Sequence, residues 1–347
     1  MANTVKWGVI GSGGIARRRT IPEGILPADN AELAAVFDVD LEANVELAHE
    51  FGAQACANLE ALLAAELDAV YIASPVDLHY EHALQCAAAG KHVLCEKPLG
   101  MTPEQAREMV EKCREAGVQL GCAFMMRFHA QHQEALRMVR DGRLGTPCYA
   151  RAQLSCWYPP MEGAWRQDPA RGGGGSLMDL GGHCVDLLEM LLGKVVKVSC
   201  FTKHTVHDYA SEDSAVAMLA FENGAIATVD AFFCMPDAAS KNVLELYGSN
   251  GSILAKGTIG QGEAGEMTAF IEEADAGYDA QQARAATEGQ SLAPPPVNMY
   301  RAEIEAMSKA ILEGGACPID AEAGLRSQLI LTACYESART GQAVTIA

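Results

Sequence analysis

The sequence predicts two joined architectures. Residues 1–123 read as an α/β unit with a doubly wound parallel (Rossmann) sheet. Residues 124–347 read as an α+β unit with a large, mostly antiparallel open sheet flanked by helices. Three observations lead there. Up to residue 123, short apolar runs alternate with amphipathic stretches of helical period. The first of those runs leads directly into a glycine-rich turn, Gly11-Ser12-Gly13-Gly14. Beyond Thr146 the pattern changes to apolar runs separated by hairpin-type turns.

Taken in order, residues 5–10, 31–37, 69–73, 92–95 and 119–123 are apolar enough to be buried parallel strands. Between them, 41–51, 59–65, 80–89 and 103–116 carry the spacing of helices, with Gly90 and Gly117 placed to end two of them. Residues 130–140 form a further expected helix. Strands are then expected at 148–156, 195–204, 214–221, 225–233, 242–247 and 252–255. Glu222-Asn223-Gly224 and Ser249-Asn250-Gly251 supply turns between them. The stretch 257–296 is rich in glycine, alanine and acids and ends in Pro294-Pro295-Pro296, so it is expected to be irregular. Helix returns over 301–312 and 321–340, the last packing back toward the N-terminal sheet. The open sheet face is the expected contact surface of a homodimer or homotetramer.

Composition narrows the function. The 347 residues give room for two domains. With 26 basic against 45 acidic residues and a net charge of −19, the chain lacks the basic clusters that nucleic acid or an anionic membrane would require. The twelve cysteines are scattered without a CxxC pair, which fits small buried hydrophobes in a reducing cytoplasm, and no metal site is expected. The N-terminus enters a strand without a signal-peptide pattern, and no apolar run approaches a membrane span.

Chemistry concentrates in residues 172–186, GGGGSLMDLGGHCVD. Asp179 and His183 are four residues apart and share one face of a helix, with Asp186 a turn further on. A carboxylate beside an imidazole suits proton transfer, although such a pair can also be an ordinary helix-surface contact. Gly181 and Gly182 between them imply that something approaches this backbone closely.

At the other end, Gly11-Ser12-Gly13-Gly14-Ile15-Ala16 fits G-x-G-x-x-A after a strand and before a helix. The first glycine permits the tight turn, the second lets backbone approach a pyrophosphate, and small Ala16 lets helix and strand pack. Asp38 closes the next strand, 22 residues beyond Ala16, where a carboxylate binds ribose hydroxyls and repels a 2′-phosphate. NAD is therefore favoured. Arg17, Arg18 and Arg19 read as a solvated helix face that in part approaches the pyrophosphate, but they keep NADP open, because a guanidinium can receive that phosphate.

Further motifs make the resemblance specific. Ser74-Pro75 is followed by His79, and GKHVLCEKP places Glu96-Lys97-Pro98 at a strand end. Trp165-Arg166 precedes the glycine run and Asp179-x-Gly181-x-His183. Together these resemble the Gfo/Idh/MocA family of glucose-fructose oxidoreductase and inositol dehydrogenase relatives, essentially end to end. The resemblance implies that Lys97, Asp179 and His183 face the substrate. It implies that His183 takes the proton of a secondary hydroxyl on a pyranose sugar, glycoside or cyclitol while hydride passes to nicotinamide. Lys97 would stabilise the developing alkoxide, and remains an alternative base. Ser74, Pro75, His79, Glu96, Trp165 and Arg166 would surround the cofactor.

Arg127, at the junction of the halves, would face substrate or form an interdomain ion pair. Trp157 and Tyr158 would stack on a sugar ring or join the core. Asp186 braces the helix or His183. Val76 stands where the family often has asparagine, which removes a side-chain contact there. Two alternatives remain: a redox-neutral sugar-modifying enzyme that recycles tightly held NAD through a 3-keto intermediate, and a nucleotide-sensing regulatory protein.

Overall fold

The computed structural model describes residues 4–272 and 288–346. Strand β1 (Val5–Ile10) buries Val5, Trp7, Val9 and Ile10, so it is apolar on both faces, as a central parallel strand must be. A wide helix (Ala16–Ile25) follows the glycine turn; bonding of Leu26 N–H to Ile21 O at 3.0 Å shows its enlarged turn, which also takes in Pro22. Next come β2 (Ala31–Phe37), α1 (Leu41–Phe51), β3 (Gln54–Ala55), α2 (Leu59–Leu63) and β4 (Ala69–Ile72). Helix α3 (Val76–Ala88), β5 (His92–Cys95), α4 (Pro103–Glu115) and β6 (Leu120–Cys122) complete this half. Side-chain caps mark the helix starts: Asp40 accepts from Ala43 N–H and Thr102 from Gln105 N–H.

The sheet is parallel, in the order β3-β2-β1-β4-β5-β6. That order reverses between β1 and β4, which opens a crevice at their carboxyl ends. Two differences from the sequence reading are local. Helix α3 starts at Val76 rather than residue 80, because Pro75 initiates it and Val76 is buried. Strand β3 is two exposed residues, too short to carry a period.

A short turn (Met125–Phe128) leads into α5 (Ala130–Arg140), β7 (Pro147–Ser155) and α6 (Pro169–Gly172). A wide turn (Leu177–Gly181) then runs into α7 (Gly182–Leu192). Strands β8 (Val195–Lys203), β9 (Ser214–Phe221), β10 (Ile226–Phe232), β11 (Val243–Gly248) and β12 (Gly251–Lys256) follow. After them come β13 (Glu266–Ile271), β14 (Gln290–Ser291), α8 (Met299–Glu313), α9 (Ala321–Thr340) and β15 (Val344–Thr345).

These strands form a nine-stranded sheet, β14-β13-β12-β11-β7-β10-β9-β8-β15, antiparallel except for the β7·β10 pair. Within the span expected to be irregular, β13 buries Met267 and Ala269 and extends the sheet; residues 273–287 of that span lie outside the described residues. The alternation in Glu266-Met267-Thr268-Ala269 was masked by its glycine- and acid-rich surroundings.

Helix α7 buries Leu187, Leu188 and Leu191 in the core of this half, which also holds Ala152, Ala217 and Val229 of the sheet. The other sheet face carries exposed Phe201, Val216, Met218 and Ile226, with Phe201 and Val216 directly paired. Helix α9 packs on β8 and also against α4 and β6. Gly324 allows that approach: a Cβ there would lie 2.6 Å from Leu99 Cδ1. No helix among the described residues is long and apolar enough to cross a membrane.

Candidate active site

A cavity of about 870 Å³ runs from the glycine turn, past the carboxyl ends of β4 and β5, to the end of β7 and the start of α7. Its volume is at the upper end of those that hold cofactors and small ligands.

At the nucleotide end Gly11 has φ +99°, and a Cβ would lie 2.8 Å from the Ala73 carbonyl, so no side chain fits. A Cβ at Gly13 or Gly14 would meet nothing within 4 Å. That open cradle lies where backbone N–H groups meet a pyrophosphate. Asp38 Oδ2 accepts from Ser12 N–H at 2.6 Å and Oδ1 from Asp40 N–H at 2.9 Å, so the carboxylate ties the turn to the end of β2. Ser12 and Ala16 are buried and build the turn, whereas Gly11, Gly13, Gly14, Ile15 and Asp38 line the cavity.

Of the three arginines only Arg18 lines the cavity; Arg17 pairs with Glu50 and Arg19 with Glu23. The buried Tyr300 hydroxyl on the cavity wall has no partner among the described residues. The open cradle, the acid on the cavity wall and the unfilled hydrogen-bonding capacity together fit a dinucleotide.

Ser74 and Pro75 also line the cavity, and Ser74 Oγ meets His82 Nδ1 at 3.0 Å. His79 is different. Its nitrogens lie 2.8 Å from the carbonyl oxygens of Ser74 and Pro98, and burial pushes its pKa down to about 4. As a neutral ring it donates to one of these carbonyls and lies against the other, so His79 braces the ends of β4 and β5 while also lining the cavity.

The reacting end is built around Asp179. Lys97 Nζ donates to Asp179 Oδ1 at 2.6 Å and to its carbonyl at 2.9 Å, and Arg166 Nε lies 3.2 Å from the same carboxylate oxygen. Arg166 in turn stacks over Trp165, 4.1 Å from the ring centroid. Burial opposes ionisation of Asp179, but Lys97 and Arg166 outweigh it and hold the carboxyl well below the usual range.

His183 lines the same cavity with its Nδ1 buried and unpartnered. Burial first, and the Lys97 charge second, push it down to about 3. No hydrogen bond joins Asp179 to His183 among the described residues, so the expected carboxylate–imidazole dyad is instead a carboxylate–ammonium pair beside a neutral imidazole. Glu96 accepts from Tyr71 Oη, which itself accepts from Thr20, and burial raises the Glu96 pKa.

The glycine run has a second explanation. A Cβ at Gly174 would lie 2.0 Å from Tyr335 Oη, and one at Gly175 2.0 Å from Glu212 O. The Glu212 carboxylate accepts from Gly175 N–H at 2.9 Å, Leu177 N–H at 3.0 Å and Tyr335 Oη at 2.8 Å. Near Gly181 and Gly182 the closest groups are Leu177 and Leu331. What approaches this backbone is therefore the protein itself. Glu212 and Tyr335, which orient the turn carrying Asp179, are missing from the sequence reading because each is remote in the chain and carries no local motif.

Of the expected substrate group, Lys97, Tyr158, Asp179 and His183 line one cavity. Arg127 and Trp157 stand outside its wall. Arg127 forks onto Asp186 with contacts of 2.6–3.0 Å, taking the ion-pair alternative. Asp186 is nevertheless pushed up to about 6 by burial. Trp157 is 43 % exposed and set edge-on to His207.

Fold and cavity together define an NAD(P)-dependent oxidoreductase. The chain belongs to the Gfo/Idh/MocA family: residues 5–124 match the "Oxidoreductase family, NAD-binding Rossmann fold" and residues 132–254 the "GFO/IDH/MocA C-terminal domain". It is 32 % identical to a 1,5-anhydro-D-fructose reductase of Ensifer adhaerens over 98 % of both chains. It is also 32 % identical to D-xylose 1-dehydrogenase (NADP(+)) 2 of Haloferax volcanii, over 98 % of this chain and 99 % of that one. In structure it is similar to an aldose-aldose oxidoreductase from Caulobacter crescentus solved with glycerol, with a TM-score of 0.87 and 24 % identity over 99 % and 100 % of the chains.

The neutral state of His183 has a thermodynamic consequence. An unfolded histidine titrates near ~6.5, and His183 in the fold near 3. Between those values only the unfolded chain binds the proton, so this stabilisation is complete above ~6.5 and is lost as pH falls toward 3. From pH 7 to pH 5 the wild type should lose about 2 kcal/mol more stability than His183→Leu, measured by urea unfolding. Equal losses would show that His183 is protonated in the fold.

Proposed function

We propose that this enzyme oxidises one secondary hydroxyl of a pyranose sugar, glycoside or cyclitol, or runs the reverse reduction, with NAD as its preferred partner. The observation that carries this reading is the meeting of Lys97 with Asp179 at 2.6 Å, in the cavity that His183 shares with the glycine turn. The relatives support the carbohydrate, since one is named as a sugar reductase and another as a sugar dehydrogenase.

Bound nicotinamide supplies the hydride acceptor. The chain's own residues handle the proton and the oxygen. A lysine ammonium has three donors; two of Lys97's are taken by Asp179, and the third serves the substrate oxygen, stabilising the charge that develops there. Asp179 Oδ2 carries no hydrogen bond among the described residues and is free to accept a neighbouring hydroxyl. His183 receives the hydroxyl proton as the carbon gives up its hydride, which leaves a ketone and balances the charges; the Asp179 carboxylate favours the imidazolium so formed against burial and the Lys97 charge.

Lys97→Ala and His183→Ala should each lower kcat by about 10²–10⁴-fold while the Kd for NADH changes little. The assay is a panel of hexoses, glycosides and inositols followed at the reduced-nicotinamide absorbance. Wild-type turnover in either variant would remove the assignment. A wild type that holds NAD through dialysis and reduces none that is added would favour the recycled-cofactor alternative.

Asp38 supports the preference for NAD. Asp38→Ser should shift the kcat/KM ratio of NAD to NADP toward NADP by about tenfold, through loss of ribose bonding and of repulsion. An unchanged ratio would assign the preference to another group, with Arg18 the first to test.

The exposed face formed by Phe201, Val216, Met218 and Ile226 supports assembly with a second copy through the nine-stranded sheet. Met218→Glu should shift the species seen by light scattering toward monomer; no shift would exclude this face.

A further inference from the structure

We propose that Asn242 is a specificity-determining residue whose side-chain amide donates a hydrogen bond to a substrate oxygen remote from the reacting carbon. This rests on the sugar-oxidising reading above. Asn242 is the one non-glycine with positive φ among the described residues, at 45°. Side chains rarely adopt that conformation, and asparagine tolerates it better than most. The strain is held in place by bonds at the side chain. Ser155 N–H donates to Asn242 Oδ1 at 3.0 Å, and the Ser240 hydroxyl donates to the same oxygen at 2.6 Å.

A backbone N–H can only donate, so the atom facing it must be the amide oxygen, and the orientation of the amide is set. The NH₂ group is consequently turned away from both serines. It makes no hydrogen bond among the described residues.

Asn242 is part of the wall of the cavity that holds Lys97, Asp179 and His183. It enters that wall beside Ser155, whose buried hydroxyl is also unpartnered. Cys156, next in the chain, lines the same cavity. A fixed amide with two unspent donors recognises an oxygen lone pair. The ligand class is therefore a polyhydroxylated ring offering a second hydroxyl, in preference to a simple secondary alcohol. The strained backbone is what presents the amide at this angle.

Asn242→Asp tests this most directly, because aspartate tolerates the same φ. One oxygen still accepts from Ser155 and Ser240, and only the donor becomes an acceptor. The expected result is a rise in KM of about tenfold or more for the best sugar, with kcat changed less and the NADH Kd, read by fluorescence, unaltered. Asn242→Gly, which keeps the positive φ and adds no charge, should raise KM similarly. Against monodeoxy analogues, one should be handled equally by wild type and both variants, which identifies the contacted hydroxyl.

KM values unchanged in Asn242→Asp and Asn242→Gly across the panel would overturn the assignment of Asn242 alone. A KM effect that persists undiminished with every deoxy analogue would overturn it equally. A wild type that turns over no sugar would overturn the parent reading, and this inference with it.

Discussion

The contact between the Lys97 ammonium and the Asp179 carboxylate joins the end of a parallel strand to a turn that begins 80 residues further on, and the active-site geometry depends on it. Their side chains are only 9 % and 19 % exposed. Taking two ions out of water costs several kcal/mol each, and their attraction offsets this only when further bonds satisfy them. Here the Asp179 carbonyl and Arg166 supply those bonds. Such a pair tolerates little displacement, so both ends must be held by rigid elements. Strand β5 is flanked by β4 and β6 on one side of the contact, and on the other Glu212 and Tyr335 fasten the wide turn.

The surrounding charges are arranged around that pair. Two cations face one carboxylate, and their field, added to burial, leaves His183 without a proton. The proton transfer proposed above needs the lone pair this leaves on the imidazole, and it works against the lowered basicity that burial and the same cations impose. A second ion pair, Arg127 with Asp186, lies outside the cavity and joins the turn after β6 to α7. It bears on the position of the helix that carries His183 without touching the chemistry. The open cradle over Gly13 and Gly14 and the strained Asn242 line the same cavity.

Much of this was legible in the chain. Five buried parallel strands stood out because they are apolar on both faces, and Ala130–Arg140 and Ala321–Thr340 because the helical period is sustained. The glycine turn, Asp38, Lys97, Asp179 and His183 were visible as residue types at motif spacing. Strand β13 was hidden by composition, and β3 and β14 were too short to show a period. Which alternative each ambiguous residue takes was not legible: Arg127 pairs with Asp186 and Trp157 sets its edge to His207, both outside the cavity wall, whereas His79 lines the cavity and holds two backbone carbonyls.

The sequence by itself determined which elements form, where the dinucleotide turn lies and which residue types are available for proton transfer, because these follow from periodicity and from spacing within one element. It could not decide which charge Asp179 answers to. An i, i+4 relation says that His183 is near, but electrostatic pairing is set by distances across the chain, and only the folded arrangement brings Lys97 and Arg166 closer. The same holds for Glu212, Tyr335 and Asn242. Their roles arise from hydrogen bonds to residues distant in sequence, and a bond of that kind leaves no local trace.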